Sequence, residues 1–144
     1  MTKHKVLILC TGNSCRSQMA EAMVNAWRGD RWQAFSAGTH PAAEVNPRTL
    51  QALAEVGLNP VDAHPKQAIE FLGVPFDLVI TVCDDAAENC PVWPGQERRL
   101  HIGFRDPVEI IGDNEEIMAV FRQVRDDIAQ RLLGALDDLD REKH

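Results

Sequence analysis

The densest chemistry in this chain sits in eight consecutive residues, Cys10-Thr11-Gly12-Asn13-Ser14-Cys15-Arg16-Ser17, which have the form C-x5-R-S. A short apolar run precedes them and an apolar pattern of helical spacing follows, so the segment reads as a loop between a strand and a helix. A loop of this length curls so that successive N–H groups converge on an anion. A helix beginning near Ser17 adds the positive end of its dipole. Arg16 supplies a planar fork matched to a tetrahedral oxyanion. Gly12 is expected to allow close backbone approach and unusual dihedral angles. The same donors stabilise a thiolate, and a cysteine so placed has its pKa lowered to about 3.5–7.5. Cys10 is therefore the expected nucleophile, aimed at an anion cradled by residues Thr11 to Ser17. Ser17 is expected to cap the helix and to hydrogen-bond the thiolate. Cysteines are often simply buried, but the complete motif in its strand–loop–helix setting outweighs that reading. Cys15 stays open between a packing role and a redox one.

Two further cysteines, Cys83 and Cys90, flank six residues, Asp84 to Asn89. Four cysteines in a reducing compartment read as catalytic, redox or metal-binding rather than as structural bridges. The spacings C-x4-C and C-x6-C lack the short knuckle of a zinc site on the second arm, so no metal is expected. His64 and His101 read as satisfied structural histidines.

The elements that must position these groups alternate. Lys5 to Cys10 is a near-continuous apolar run of the kind a buried parallel strand shows. From Ser17 to about Trp27, Met19, Ala20, Met23 and Trp27 recur at helical spacing, and Gly29 closes the helix. Trp32 to Ala37 reads as a second strand, stopped by Gly38. Asn46-Pro47 is an N-cap followed by proline at the first helical position. Leu50, Leu53 and Val56 give its stripe, and Gly57 ends it. A short helix is expected after His64-Pro65. Phe76 to Val82 is a third strand running into Cys83. Residues 84–97 form a polar loop holding Cys90, Pro91 and Pro94, and a fourth strand lies near Arg99 to Ile102. The last helix runs from Asn114 to about Leu139, with Ile117, Val120, Val124, Ile128, Leu132 and Leu136 on one face. The expected fold is therefore α/β: one domain over residues 1–144, a four-stranded parallel sheet with right-handed crossovers, flanked by helices. Ligands of such sheets sit at the carboxyl ends of the strands, and Cys10, Ser36, Cys83 and Asp106 all fall there.

A length of 144 residues suits one core that needs no disulfide staples. The formal net charge of -7 argues against nucleic acid as a partner, and it requires a local positive pocket if the substrate is an anion. Val6-Leu7-Ile8-Leu9 is too short for a signal-peptide core or a membrane span, so a cytoplasmic location and no membrane partner are expected.

The loop CTGNSCRS resembles that of the low-molecular-weight protein tyrosine phosphatases. The longer string CTGNSCRSQMAEA, the Ser36-Ala37-Gly38 triplet and Asp106-Pro107 resemble the arsenate reductases built on that fold. The resemblance covers residues from about 5 to 135. The Cys83/Cys90 pair is similar to that of the thioredoxin-coupled branch. The resemblance implies a relay: Cys10 forms a covalent adduct with arsenate, Cys83 attacks the Cys10 sulfur and arsenite leaves, and Cys90 then attacks Cys83. The resulting disulfide is reduced by thioredoxin or a similar dithiol protein, with no bound cofactor. Reducing As(V) to As(III) takes two electrons, which two thiols supply by forming one disulfide. A loop around Cys90 suits such an exchange, because a disulfide needs its Cα atoms within about 7 Å. Asp106 is the candidate general acid for the leaving oxygen, although aspartate before proline is also a common turn former. Phosphate or sulfate is expected to fit the same loop, and the chain is expected to act as a monomer.

Some relatives bind potassium beside the loop. Asn13, Glu21 and Ser36 match their ligands, but Pro65 and Gln67 stand where such relatives carry oxygen donors, so no strong potassium site is expected. The three matching residues then hold the loop. Two other readings compete. A phosphatase would use Cys10, Arg16 and Asp106 with water to resolve the adduct, yet the chain has no tyrosine and Val108 follows Asp106-Pro107. An oxyanion sensor would need no resolving thiol pair.

Overall fold

The computed structural model describes residues 3–83 and 98–142. Its centre is β1 (His4–Cys10), in which Val6, Leu7, Ile8 and Leu9 are all 0% exposed. Complete burial explains the unbroken apolar run: a strand covered on both faces has no polar side to alternate with. Each of these side chains contributes roughly 1.5–3 kcal/mol by leaving water. β1 pairs in parallel with β2 (Trp32–Gly38) on one side and β3 (Leu78–Thr81) on the other, and β4 (Arg98–His101) closes the order β2-β1-β3-β4. The observed third strand is shorter than the apolar run from Phe76 to Val82 that announced it.

Among the described residues three α-helices flank this sheet: α1 (Arg16–Trp27), α2 (Pro47–Ala54) and α3 (Asn114–Glu142). Asn46 caps α2 as its type suggests, its side chain accepting from the Arg48 N–H at 2.9 Å. Gly57 ends the following turn at φ 83°, a conformation that glycine adopts without steric cost. In α3, Val124, Ile128, Leu132 and Leu136 are buried, joined by Met118, Phe121 and Leu133.

Some expectations fail at the ends of elements. Trp27 and Leu50 fall on the apolar stripes that the spacing predicts but are 39% and 38% exposed; Val24 and Ala52 take the buried positions instead. The helix expected after His64-Pro65 is a single 3-10 turn, Ala68–Phe71, opened by a capping box in which Gln67 and Glu70 bond each other's backbone. A second such turn, Pro107–Glu109, follows β4.

Register decides where the chemistry gathers. Cys10 pairs with Gly38, and Leu9 with Thr81. The carboxyl ends of β1, β2 and β3 therefore coincide, and Cys83, two residues past β3, arrives beside the loop that leaves β1.

Candidate active site

The 10–17 loop is held open from outside. The carbonyls of Cys10, Thr11, Gly12 and Ser14 accept from the N–H groups of Thr39 (3.2 Å), His40 (2.9 Å), Ala42 (2.9 Å) and Asn46 (3.1 Å). The Thr49 hydroxyl adds a second bond to the Ser14 carbonyl at 3.1 Å. A trans peptide points its N–H opposite to its C=O. Those bonds therefore turn the N–H groups of Thr11, Gly12, Asn13 and Cys15 the other way, toward a cavity of about 530 Å³. It is lined by residues Cys10 to Arg16 together with Cys83, Asp106, Val108 and Glu109.

Close approach of β2 to the loop needs a glycine, and that glycine is Gly38. A Cβ there would lie 2.4 Å from the Thr11 carbonyl oxygen. Gly12 does not have the role expected of it. A Cβ on Gly12 would meet only the Ser14 hydroxyl at 3.6 Å, and among the described residues the left-handed loop residue is Asn13, at φ 50°. Asparagine tolerates that conformation because its side chain can bond locally. Here Asn13 Nδ2 donates to Ser17 Oγ at 2.7 Å, and Asn13 Oδ1 accepts from the Lys66 N–H at 2.9 Å. Gln18 Nε2 donates to the Asn13 carbonyl and side-chain oxygens at 3.1 and 3.2 Å and to the His64 carbonyl at 3.0 Å. Ser17 is likewise not the helix cap. α1 starts at Arg16 with Cys15 in the N-cap position and no side-chain cap, and the Ser17 hydroxyl serves to lock Asn13.

Arg16 is buried and points its guanidinium across the site. Its Nη1 donates to the Phe104 carbonyl at 3.0 Å, and its Nη2 lies 3.3 Å from Asp106 Oδ2. Its Nε is buried without a hydrogen-bond partner among the described residues. A buried donor left unpaired is costly, and the Nε–Nη2 edge is the fork that grips two oxygens of a tetrahedral anion. Asp106 does both things its sequence position suggested: Oδ1 accepts from the Val108 N–H at 3.1 Å, making the turn, and Oδ2 faces Arg16.

Cys10 and Cys83 are both buried, and their side chains hydrogen-bond each other. The Thr11 hydroxyl shares a hydrogen bond with Cys83 Sγ at 3.2 Å, in which either group can donate. This contact opposes the low-pKa thiolate that the loop motif favours. The hydrogen bond with Cys83 and burial push the Cys10 thiol well above its ordinary range, against the opposing pull of Arg16 and the Thr11 amide. The physical cause is a buried site in which two neighbouring sulfurs cannot both carry a negative charge. Cys15 lines the cavity, and burial raises its thiol too, against bonds from Thr49 and Ser14.

The structure thus brings Cys10, Thr11, Gly12, Asn13, Ser14, Cys15, Arg16, Cys83 and Asp106 to one cavity. Ser17 lies behind it, and Cys90 lies outside the described residues with the rest of 84–97. His64 and His101 are each bonded through Nδ1, to the Asp62 carbonyl at 2.9 Å and the Thr81 hydroxyl at 2.8 Å. Sequence reasoning missed Gln18, Lys66 and Glu109. A polar Gln18 beside buried Met19 on the core side of α1 was the available signal.

Residues 5–144 match the family described as low molecular weight phosphotyrosine protein phosphatase. The chain belongs to this family. Within the low-molecular-weight phosphatase family its relatives include an arsenate reductase of Halalkalibacterium halodurans, 43% identical over 132 residues, covering 92% of this chain and 94% of the relative. A solved structure described as an arsenate reductase in the phosphate binding state superposes with a TM-score of 0.80 at 27% identity, covering 94% of this chain and 98% of that one. A thioredoxin-dependent arsenate reductase of Corynebacterium glutamicum superposes with a TM-score of 0.57 at 30% identity, covering 92% of this chain and 63% of that one. In this family member the cavity mouth carries Val108, 49% exposed, beside the carboxylate of Glu109.

Proposed function

We propose that this chain is an arsenate reductase that converts arsenate to arsenite through a thiol relay. The observation that carries the reading is the Cys83 thiol set beside Cys10 in the cavity that the 10–16 loop and Asp106 line. Arsenate is gripped by the loop amides and the Arg16 fork. Cys10 attacks arsenic as its thiolate, and a hydroxyl group of arsenate leaves as water with one proton from Asp106. Cys83 sulfur then attacks the Cys10 sulfur. The sulfur–arsenic bond breaks, its electron pair stays on arsenic, and arsenite departs from a Cys10–Cys83 disulfide. Cys90 attacks Cys83, freeing Cys10, and the Cys83–Cys90 disulfide is reduced by an external dithiol protein of the thioredoxin kind. Two thiols lose the two electrons that arsenic gains. The names of the relatives, and the thioredoxin dependence of the Corynebacterium neighbour, support this assignment. A reducing cytoplasm is the compartment in which the relay is sustained.

A second reading, hydrolysis of phosphate monoesters, is favoured by the family and by the like shape and charge of phosphate and arsenate. It gives the Cys83 thiol no task. The test is NADPH oxidation on adding arsenate, with thioredoxin or glutaredoxin systems supplied separately. Turnover with one of them, abolished by Cys10→Ser, is expected. Phosphate-ester hydrolysis without any arsenate-dependent oxidation would move the phosphatase reading ahead.

A further inference from the structure

Behind the anion loop lies an ion pair that the relay does not use. Lys66 Nζ stands 3.8 Å from Glu21 Oε1 and donates to the His64 carbonyl at 3.0 Å, with the two side chains only 16% and 21% exposed. Neither residue lines the anion cavity. The Lys66 backbone makes two further ties. Its N–H donates to Asn13 Oδ1 at 2.9 Å, and its carbonyl accepts from the Gly38 N–H at 2.8 Å. Gln18 reaches the same two places, Asn13 and the His64 carbonyl. The 64–67 segment is thus a brace between α1, β2 and the left-handed turn of the loop.

We propose that Lys66 is a positioning residue for oxyanion binding: its ammonium, held by Glu21 and the His64 carbonyl, is a built-in cation that fixes Asn13 and so the shape of the loop. A largely buried carboxylate is stable only with a counter-charge. Burial pushes the Glu21 carboxyl up while Lys66 pulls it back. Without the ammonium, Glu21 takes up a proton or swings toward water, and the His64 carbonyl loses its donor. The N–H that holds Asn13 then has no anchored segment behind it. The inference rests on the loop being the anion site and is independent of the thiol relay.

The test is calorimetric titration with inorganic phosphate at constant ionic strength in choline chloride. Lys66→Ala should bind phosphate about 10-fold to 100-fold more weakly, the usual cost of removing a group that orients a binding shell. Replacing choline by potassium or ammonium should restore much of that loss, because a small cation can enter the vacated space beside Glu21, and should leave the wild type unchanged. Lys66→Met fills the space without charge and should be weak in every salt. Should Lys66→Ala fail to melt cooperatively, Glu21→Gln, which keeps the shape and removes the counter-charge, should weaken phosphate binding similarly without recovery in potassium. Wild-type affinity in Lys66→Met or in Glu21→Gln would overturn the proposal, as would a Lys66→Ala loss that no small cation repairs. Failure of the wild type itself to bind phosphate would remove the loop assignment and this proposal together.

Discussion

Cys83 Sγ lies 3.2 Å from the hydroxyl of Thr11, although 72 residues separate them along the chain. The parallel register of β1 and β3 causes this. Leu9 pairs with Thr81, so the residues just beyond each strand, Thr11 and Cys83, meet at the same edge. The second thiol therefore reaches the nucleophile through sheet geometry.

That contact sets the acidity of Cys10. The hydrogen bond with Cys83 is the largest influence raising its thiol, so Cys83→Ala should lower the pH at which Cys10 becomes reactive. Alkylation of Cys10 by iodoacetamide, followed by mass spectrometry across pH, should show the midpoint move down. An unchanged or higher midpoint would mean that Arg16 and the loop amides already dominate.

Arg16→Lys keeps a positive charge but loses the two-pronged fork. Losing a preorganised donor to a developing oxyanion typically costs about 100-fold to 1,000-fold in turnover. A steady-state assay with arsenate should show a loss of that order, and an unchanged kcat/KM would remove Arg16 as the clamp.

Gly38→Ala places a methyl group 2.4 Å from the Thr11 carbonyl oxygen, which is backbone and cannot swing aside. Overpacking of this kind typically costs about 1–3 kcal/mol. Thermal melting should fall accordingly, and phosphate affinity should fall with it because the displaced atom belongs to the anion loop. A variant as stable as the wild type, with full phosphate affinity, would show that β2 and the loop can separate freely.

Away from the site, Arg28 grips Asp137 through two bonds of 2.7 and 2.9 Å and holds its carboxyl below the ordinary value of 3.8. With the folded pKa depressed, this pair stabilises the protein fully above pH 3.8. As pH falls further, the unfolded chain takes up the proton first and the stabilisation is lost. Asp137→Asn should therefore lower the melting temperature at neutral pH and show a shallower decline on acidification. Parallel pH–stability curves for the two proteins would contradict this.

Local features of the sequence were legible. The unbroken apolar run of Val6–Leu9 announces a doubly covered strand, and Asn46-Pro47 announces a helix start. Cys10 and Arg16 follow from the spacing of one motif. What was hidden depends on partners distant in sequence. Asn13 rather than Gly12 takes the left-handed turn because Lys66 and Gln18 bond its oxygens, and nothing within 10–17 reveals that. The position of Gln18 on the core side of α1 hints at a buried polar role, but its partner, the His64 carbonyl, is distant in sequence. The influence of Cys83 on the acidity of Cys10 is invisible in the sequence, because the two meet only through the register of β1 and β3.

The central claim is that the two resolving thiols act in order, and a quenched single turnover with arsenate, read by mass spectrometry, tests it most directly. Cys83→Ser should release no arsenite, because the adduct on Cys10 has no thiol to resolve it. Cys90→Ser should release one equivalent and stall as a Cys10–Cys83 disulfide. Arsenite release from Cys83→Ser at the wild-type level, or sustained thioredoxin-driven turnover by Cys90→Ser, would contradict the relay.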